Sequence, residues 1–258
     1  MRVPLAALVL ASALLACASD GNEGGVLSAD EQYALAAENF EQEDYPRAIS
    51  AFQVFTYNYP QDPRVLDARW MTARAYYESE DWATAAQEFL NFQRDYPREA
   101  RAGEALFLAA RAYQEMSLRP ELDQRDTERA INVYDRVLRE YAANEFAEEA
   151  RTRRDRLRNK LAEKAYLNGE FYFDNESYEA AETYLIDLIG AFPDTQWVAP
   201  AYALLARTYC DWGREERAIE MVGVLRERFA EATATREVEA GLESRCRGPA
   251  TGASSSGG

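Results

Sequence analysis

The chain has 258 residues, with 45 acidic against 29 basic and a formal net charge of −16, which argues against a nucleic-acid partner and against charge-driven adhesion to anionic lipid. It contains no histidine, so Ser-His-Asp and Cys-His catalysis and most zinc and non-haem iron sites are unavailable. The three cysteines, at 17, 210 and 246, are too few and too scattered for a metal site built of cysteine alone. No cofactor and no enzymatic activity are expected.

Residues 1–16, MRVPLAALVLASALLA, place one arginine before an apolar run too short to span a membrane. This is the pattern of a secretory signal. Leu14-Leu15-Ala16-Cys17 resembles the bacterial lipobox, which implies diacylglycerol on the Cys17 thiol and acylation of the new amino terminus. Several acyl chains together anchor a protein durably, where one does so only marginally. The plainer alternative is an ordinary signal peptide containing a chance cysteine. Ala18 and Ser19 follow the cysteine, and the absence of an aspartate there implies delivery to the outer membrane. Residues 17–28 are small and polar, and are expected to tether a folded domain over 29–247. Residues 248–258, GPATGASSSGG, are expected to be a disordered tail.

Within the folded domain one thirteen-residue phrase recurs five times, anchored on Ala48, Ala85, Ala130, Ala181 and Ala218. Four residues after each anchor stand Phe52, Phe89, Tyr134, Leu185 and Val222, and three further on Phe55, Phe92, Val137, Leu188 and Leu225. An aromatic closes every copy: Tyr59, Tyr96, Tyr141, Phe192 and Phe229. This spacing makes one apolar stripe on a helix. Pro60, Pro97 and Pro193 follow directly in three copies and are expected to end the helix, since proline cannot continue the hydrogen-bond ladder.

Before each phrase lies a small residue with an aromatic three later: Ala37/Phe40, Ala73/Tyr76, Ala110/Tyr113, Gly169/Tyr172 and Ala206/Tyr209. Each unit therefore reads as a helix A, a turn and a helix B. The residue types in this order resemble the tetratricopeptide repeat. The expected fold is all-α, an α-solenoid of five helix pairs, with a capping helix over about Thr233–Cys246 to cover the last apolar face.

The anchors are spaced 37, 45, 51 and 37 residues apart. The first excess falls around SLRPELDQRD and lengthens the A–B turn of unit three. The second falls before Gly169, where no Pro or Gly interrupts the chain from Glu145, so the fourth A helix is expected to start about four turns early and protrude. Its basic run includes Arg151, Arg154 and Arg158. These suit either a partner-docking ridge or a solvated face with pairs such as Glu149–Arg153.

In tetratricopeptide stacks the A helices line the concave surface. The inward positions here are Trp70, Arg74 and Tyr77 in unit two, and Phe107, Arg111 and Gln114 in unit three. The i, i+4, i+7 spacing puts each set on one helix face. Two arginines among aromatics suit an extended peptide bearing a carboxylate. The competing reading is that the rings are core and the arginines pair with nearby acids. At the far end, Cys210 and Cys246 stand at similar depth on parallel helices, so an exported chain is expected either to bridge them or to leave two thiols.

Leu157–Thr195, LRNKLAEKAYLNGEFYFDNESYEAAETYLIDLIGAFPDT, resembles the fourth unit of the BamD family of outer-membrane assembly lipoproteins. The lipobox, tether and enlarged third loop fit the same family. The missing final proline in copies three and five and the cysteine pair do not belong to its pattern. The resemblance implies a non-enzymatic part of the β-barrel assembly machinery at the periplasmic face of the outer membrane. The implied partners are the POTRA region of a BamA-like protein, other assembly lipoproteins, and the C-terminal segments of unfolded outer-membrane proteins. Another envelope scaffold, such as a secretin pilotin or a cell-wall or tol–pal coordinator, is the alternative.

Overall fold

A computed structural model describes residues 27–238. Ten helices follow in order: α1 Ala29–Glu41, α2 Tyr45–Asn58, α3 Val65–Glu78, α4 Trp82–Asp95, α5 Ala102–Glu115, α6 Arg125–Glu140, α7 Ala147–Asp174, α8 Tyr178–Ala191, α9 Val198–Asp211 and α10 Glu215–Arg228. A further helix begins at Thr233, where the cap is expected, and is described as far as Val238. No strand occurs among the described residues. Cys17 and Cys246 lie outside them, and with them the lipidation site and the far partner of the expected Cys210–Cys246 pair.

Each helix packs on its neighbours in sequence, and α7 also touches α9. This is the contact pattern of a solenoid, in which no unit can bury its apolar face alone. The five anchor alanines are buried, as are the residues four and seven positions after them. The B helices end at the aromatic whether or not proline follows. Tyr59, Tyr96, Tyr141, Phe192 and Phe229 are all C-caps. Each accepts a backbone hydrogen bond from the residue three later. Units three and five, which have Ala142 and Ala230 instead of proline, stop at the same place. The turn closed on the aromatic carbonyl, not the proline, is therefore the common stop.

Four of the A–B turns are tight and place Glu43, Glu80, Glu176 and Gly213 at positive φ. Unit three has no such residue because residues 116–124 form the longer connection seen in the spacing. Gln124 organises that loop by donating its side-chain amide to the carbonyls of Arg119 and Leu122.

α7 is 28 residues long, twice the 14 of α5 or α9, and starts early as its spacing predicts. It does not protrude. Its first half packs on unit three: Phe146, the residue before it, stacks on Phe107 with centroids 5.0 Å apart, and Ala150 and Leu157 join the core of α3–α6. Its second half enters a different core, through Ala162 and Phe173 with α8–α10. Ala147, Ala150 and Leu157 make one buried stripe; Ala162, Gly169 and Phe173 make another. At 3.6 residues per turn the two stripes point roughly 100° apart. One continuous helix thus belongs to two cores and sets their relative orientation.

The small residues of the A helices permit close approach, as at Gly169. A Cβ there would lie 2.7 Å from Leu185 Cδ2 and 2.8 Å from its Cγ. Gly169→Ala is expected to cost about 1–3 kcal/mol through overpacking. Gly223→Ala, inside α10 with nothing within 4 Å, should instead stabilise by roughly 0.5–1 kcal/mol. Urea unfolding of the two variants checks both signs.

Candidate peptide-binding face

Of the six residues placed on the A-helix face, two do not reach a groove. Trp70 is 4% exposed and Phe107 2%. Trp70 meets Phe89 and Phe92 edge-on at 5.5 and 5.4 Å, and Phe107 packs on Tyr134 and Phe146. Arg101 closes over the outside of Trp70, with its guanidinium carbon 5.5 Å from the ring, while binding Asp67 at 2.6 Å. These two rings are core, as helical aromatic spacing equally permits, and burial settles between the two readings.

The other four remain accessible. Arg74 is held by Glu78 one turn later at 2.8 Å. Tyr77 is half-buried against Trp82 at 4.9 Å. Gln114 accepts a hydrogen bond from the Tyr134 hydroxyl at 3.0 Å. Arg111 lies over the Tyr77 ring, 5.7 Å from its centroid, and its buried Nε has no hydrogen-bond partner. A guanidinium held on a ring and not neutralised by an acid is ready to accept a carboxylate.

The electrostatics of this face follow from burial first. Desolvation raises the Tyr77 pKa, opposed by Arg111. Desolvation also raises that of Glu104, against the lowering influence of Arg74 and Arg101. Arg153, from α7, also faces this region: it binds Glu149 at 2.7 Å and acts electrostatically on Tyr77 and Tyr134. The sequence reading names Arg153 only as the partner of Glu149 on a solvated face, because only a doubled α7 packed on unit three brings it beside the A helices.

The three arginines considered for docking separate. Arg151 is exposed and pairs with Glu148 within its own helix at 2.6 Å. Arg154 binds Asp135 of α6 at 3.2 Å. Arg158 donates to Asp194 and to the Ala191 carbonyl at 3.2 Å each, and lies over Phe192. Arg154 and Arg158 fasten α7 to both of its neighbours, so the three do not form a free ridge. Lys160 donates to Ser117 at 2.7 Å and Lys164 to the Leu122 carbonyl, tying the third loop to the same helix. Among the described residues no acidic or cysteine cluster could hold a metal, and no helix is long and apolar enough to cross a membrane.

Stacked helix pairs with a polar, arginine-bearing A-helix face define a tetratricopeptide-type scaffold. The chain matches the family model for the YfiO outer membrane lipoproteins over residues 27–223, and it belongs to that family. No curated protein matches it. Among solved structures it is similar to the TPR2AB domain of yeast Sti1 in its pHSP90 complex, at 17% identity over 83% of each chain with a TM-score of 0.40. A tetratricopeptide protein of Thermus thermophilus is 18% identical over 84% of this chain and 100% of its own, with a TM-score of 0.34. The Pseudomonas aeruginosa pilF protein is 15% identical over 83% and 82%, also at 0.34.

Because burial raises the Glu104 pKa, its charged form is disfavoured in the folded state, and the destabilisation is present at neutral pH. It fades as pH falls through the raised folded value and is gone below the ordinary carboxylate range. Glu104→Gln is therefore expected to raise Tm at pH 7 and to lose that advantage in acid, as thermal melts across pH would show.

Proposed function

We propose that the chain is a non-enzymatic component of the β-barrel assembly machinery, lipid-anchored at Cys17 in the outer membrane and facing the periplasm. It binds the POTRA region of a BamA-like protein, works beside other assembly lipoproteins, and receives C-terminal segments of unfolded outer-membrane proteins. The family match over residues 27–223, which reaches into all five units, carries this reading.

The accessible A-helix face supports the substrate role. Arg111 supplies an unneutralised guanidinium on the Tyr77 ring. Arg74 supplies a second, whose bond to Glu78 is exposed enough to exchange for a ligand carboxylate. A peptide ending in an aromatic residue with a free carboxylate fits these groups. The first half of α7, with Arg151 accessible, supports the scaffold contact; Arg154 and Arg158 contribute by holding that helix in place.

A pull-down from detergent-solubilised envelope is expected to recover a large β-barrel protein with POTRA domains; recovery of a secretin in its place would overturn the assignment. Arg74→Glu combined with Arg111→Glu is expected to weaken crosslinking to a β-barrel C-terminal peptide by about tenfold, the loss of roughly one charged hydrogen bond. Unchanged crosslinking would refute the substrate face.

A further inference from the structure

Counted from the small residue of each A helix, Arg111 and Arg207 occupy the same place, directly after Ala110 and Ala206. The rings beneath them are equivalent too: Tyr77 and Phe173 each stand four residues after the small residue of the preceding unit, Ala73 and Gly169. Arg111 lies 5.7 Å from the Tyr77 centroid, and Arg207 lies 4.9 Å from that of Phe173. Arg64, Arg69, Arg101, Arg129, Arg158 and Arg217 also lie over rings of other helices. Every one of those six binds an acid. Among the described residues Arg111 and Arg207 have the inter-helix ring and no ion pair. In a chain with 45 acidic residues against 29 basic ones, two equivalent guanidinium groups with no carboxylate in ion-pair contact mark a repeated device.

We propose that Arg207 over Phe173 is a second carboxylate-binding site, on the A-helix face of units four and five, which takes the carboxylate of an extended peptide. It rests on the reading of the first face as peptide-binding. Phe173 covers one side of the guanidinium, so the N–H edge is left for a bidentate carboxylate. Tyr166 and Trp197, with centroids 5.0 Å apart, stand on the same two units. Glu170, Asp174 and Glu237 share this neighbourhood with Arg207, all of them acting on Tyr166. The site therefore suits a single carboxylate flanked by a basic residue, and it disfavours a polyanion. The two buried stripes of α7 point in different directions, so the two sites serve separate peptide segments.

The test titrates the full chain with a fluorescein-labelled hexapeptide that has a basic residue before a C-terminal phenylalanine, as the free acid and as the amide. The expected result is two equivalents of the acid bound, with the amide at least tenfold weaker. Arg207→Gln should bind one equivalent with an unchanged thermal melt, because Arg207 is exposed. Arg111→Gln should lose the other. Two equivalents retained by Arg207→Gln, or equal binding of acid and amide, overturns the second site. Loss of an equivalent in Arg111→Gln alone also overturns it and leaves the first face standing. Loss in Arg207→Gln alone supports it and removes the first face.

Discussion

The structure depends on one helix serving two hydrophobic cores. The backbone ladder of α7 is continuous over 28 residues, so it cannot bend to present one face to both ends of the stack without a kink, and none of the usual causes of a kink, such as proline, interrupts it. The apolar positions change face instead. Ala147, Ala150 and Leu157 seal unit three, and Ala162, Gly169 and Phe173 open unit four. The side chains between them secure the change: Arg154 reaches α6, Arg158 reaches the end of α8, and Lys160 and Lys164 hold the third loop. The angle between the two halves of the solenoid is thereby fixed by the length of the helix and the phase of its stripes.

That arrangement also decides which charged groups are available for binding. An acidic chain neutralises most of its arginines internally, and a surface ion pair of this kind contributes little to stability. What the ion pairs do here is position: Arg101 shields Trp70, while Arg154 and Arg158 brace α7. The arginines that stay without an acid while resting on the ring of a neighbouring unit are the ones suited to a ligand, since the ring holds the group in place without satisfying its charge.

Much of the candidate face was legible in the residues. The register of small residue, aromatic and anchor alanine identified Arg74, Tyr77, Arg111 and Gln114 as one accessible surface. It could not separate them from Trp70 and Phe107, because a ring at the same helical phase can point at its partner B helix or away from it. The basic run of α7 misled for a related reason. Ala147, Ala150 and Leu157 are few and widely spaced among charges, so the helix read as solvated and protruding, and its apolar stripe was visible only once unit three lay beside it. Arg153 joins the face through the same contact.

The sequence by itself determined the helix pairs, their order, the long third loop and the early start of α7, because these depend on local spacing and on residue types that act within a turn or two. It determined too the address at Cys17 as an expectation, through a resemblance in four adjacent residues. The tertiary structure decided which aromatics are core, which arginines are already bonded, and that α7 joins two cores instead of projecting from one. Each of these turns on what a side chain meets from another element, and burial and pairing between elements distant in sequence are not encoded in the period of any one helix.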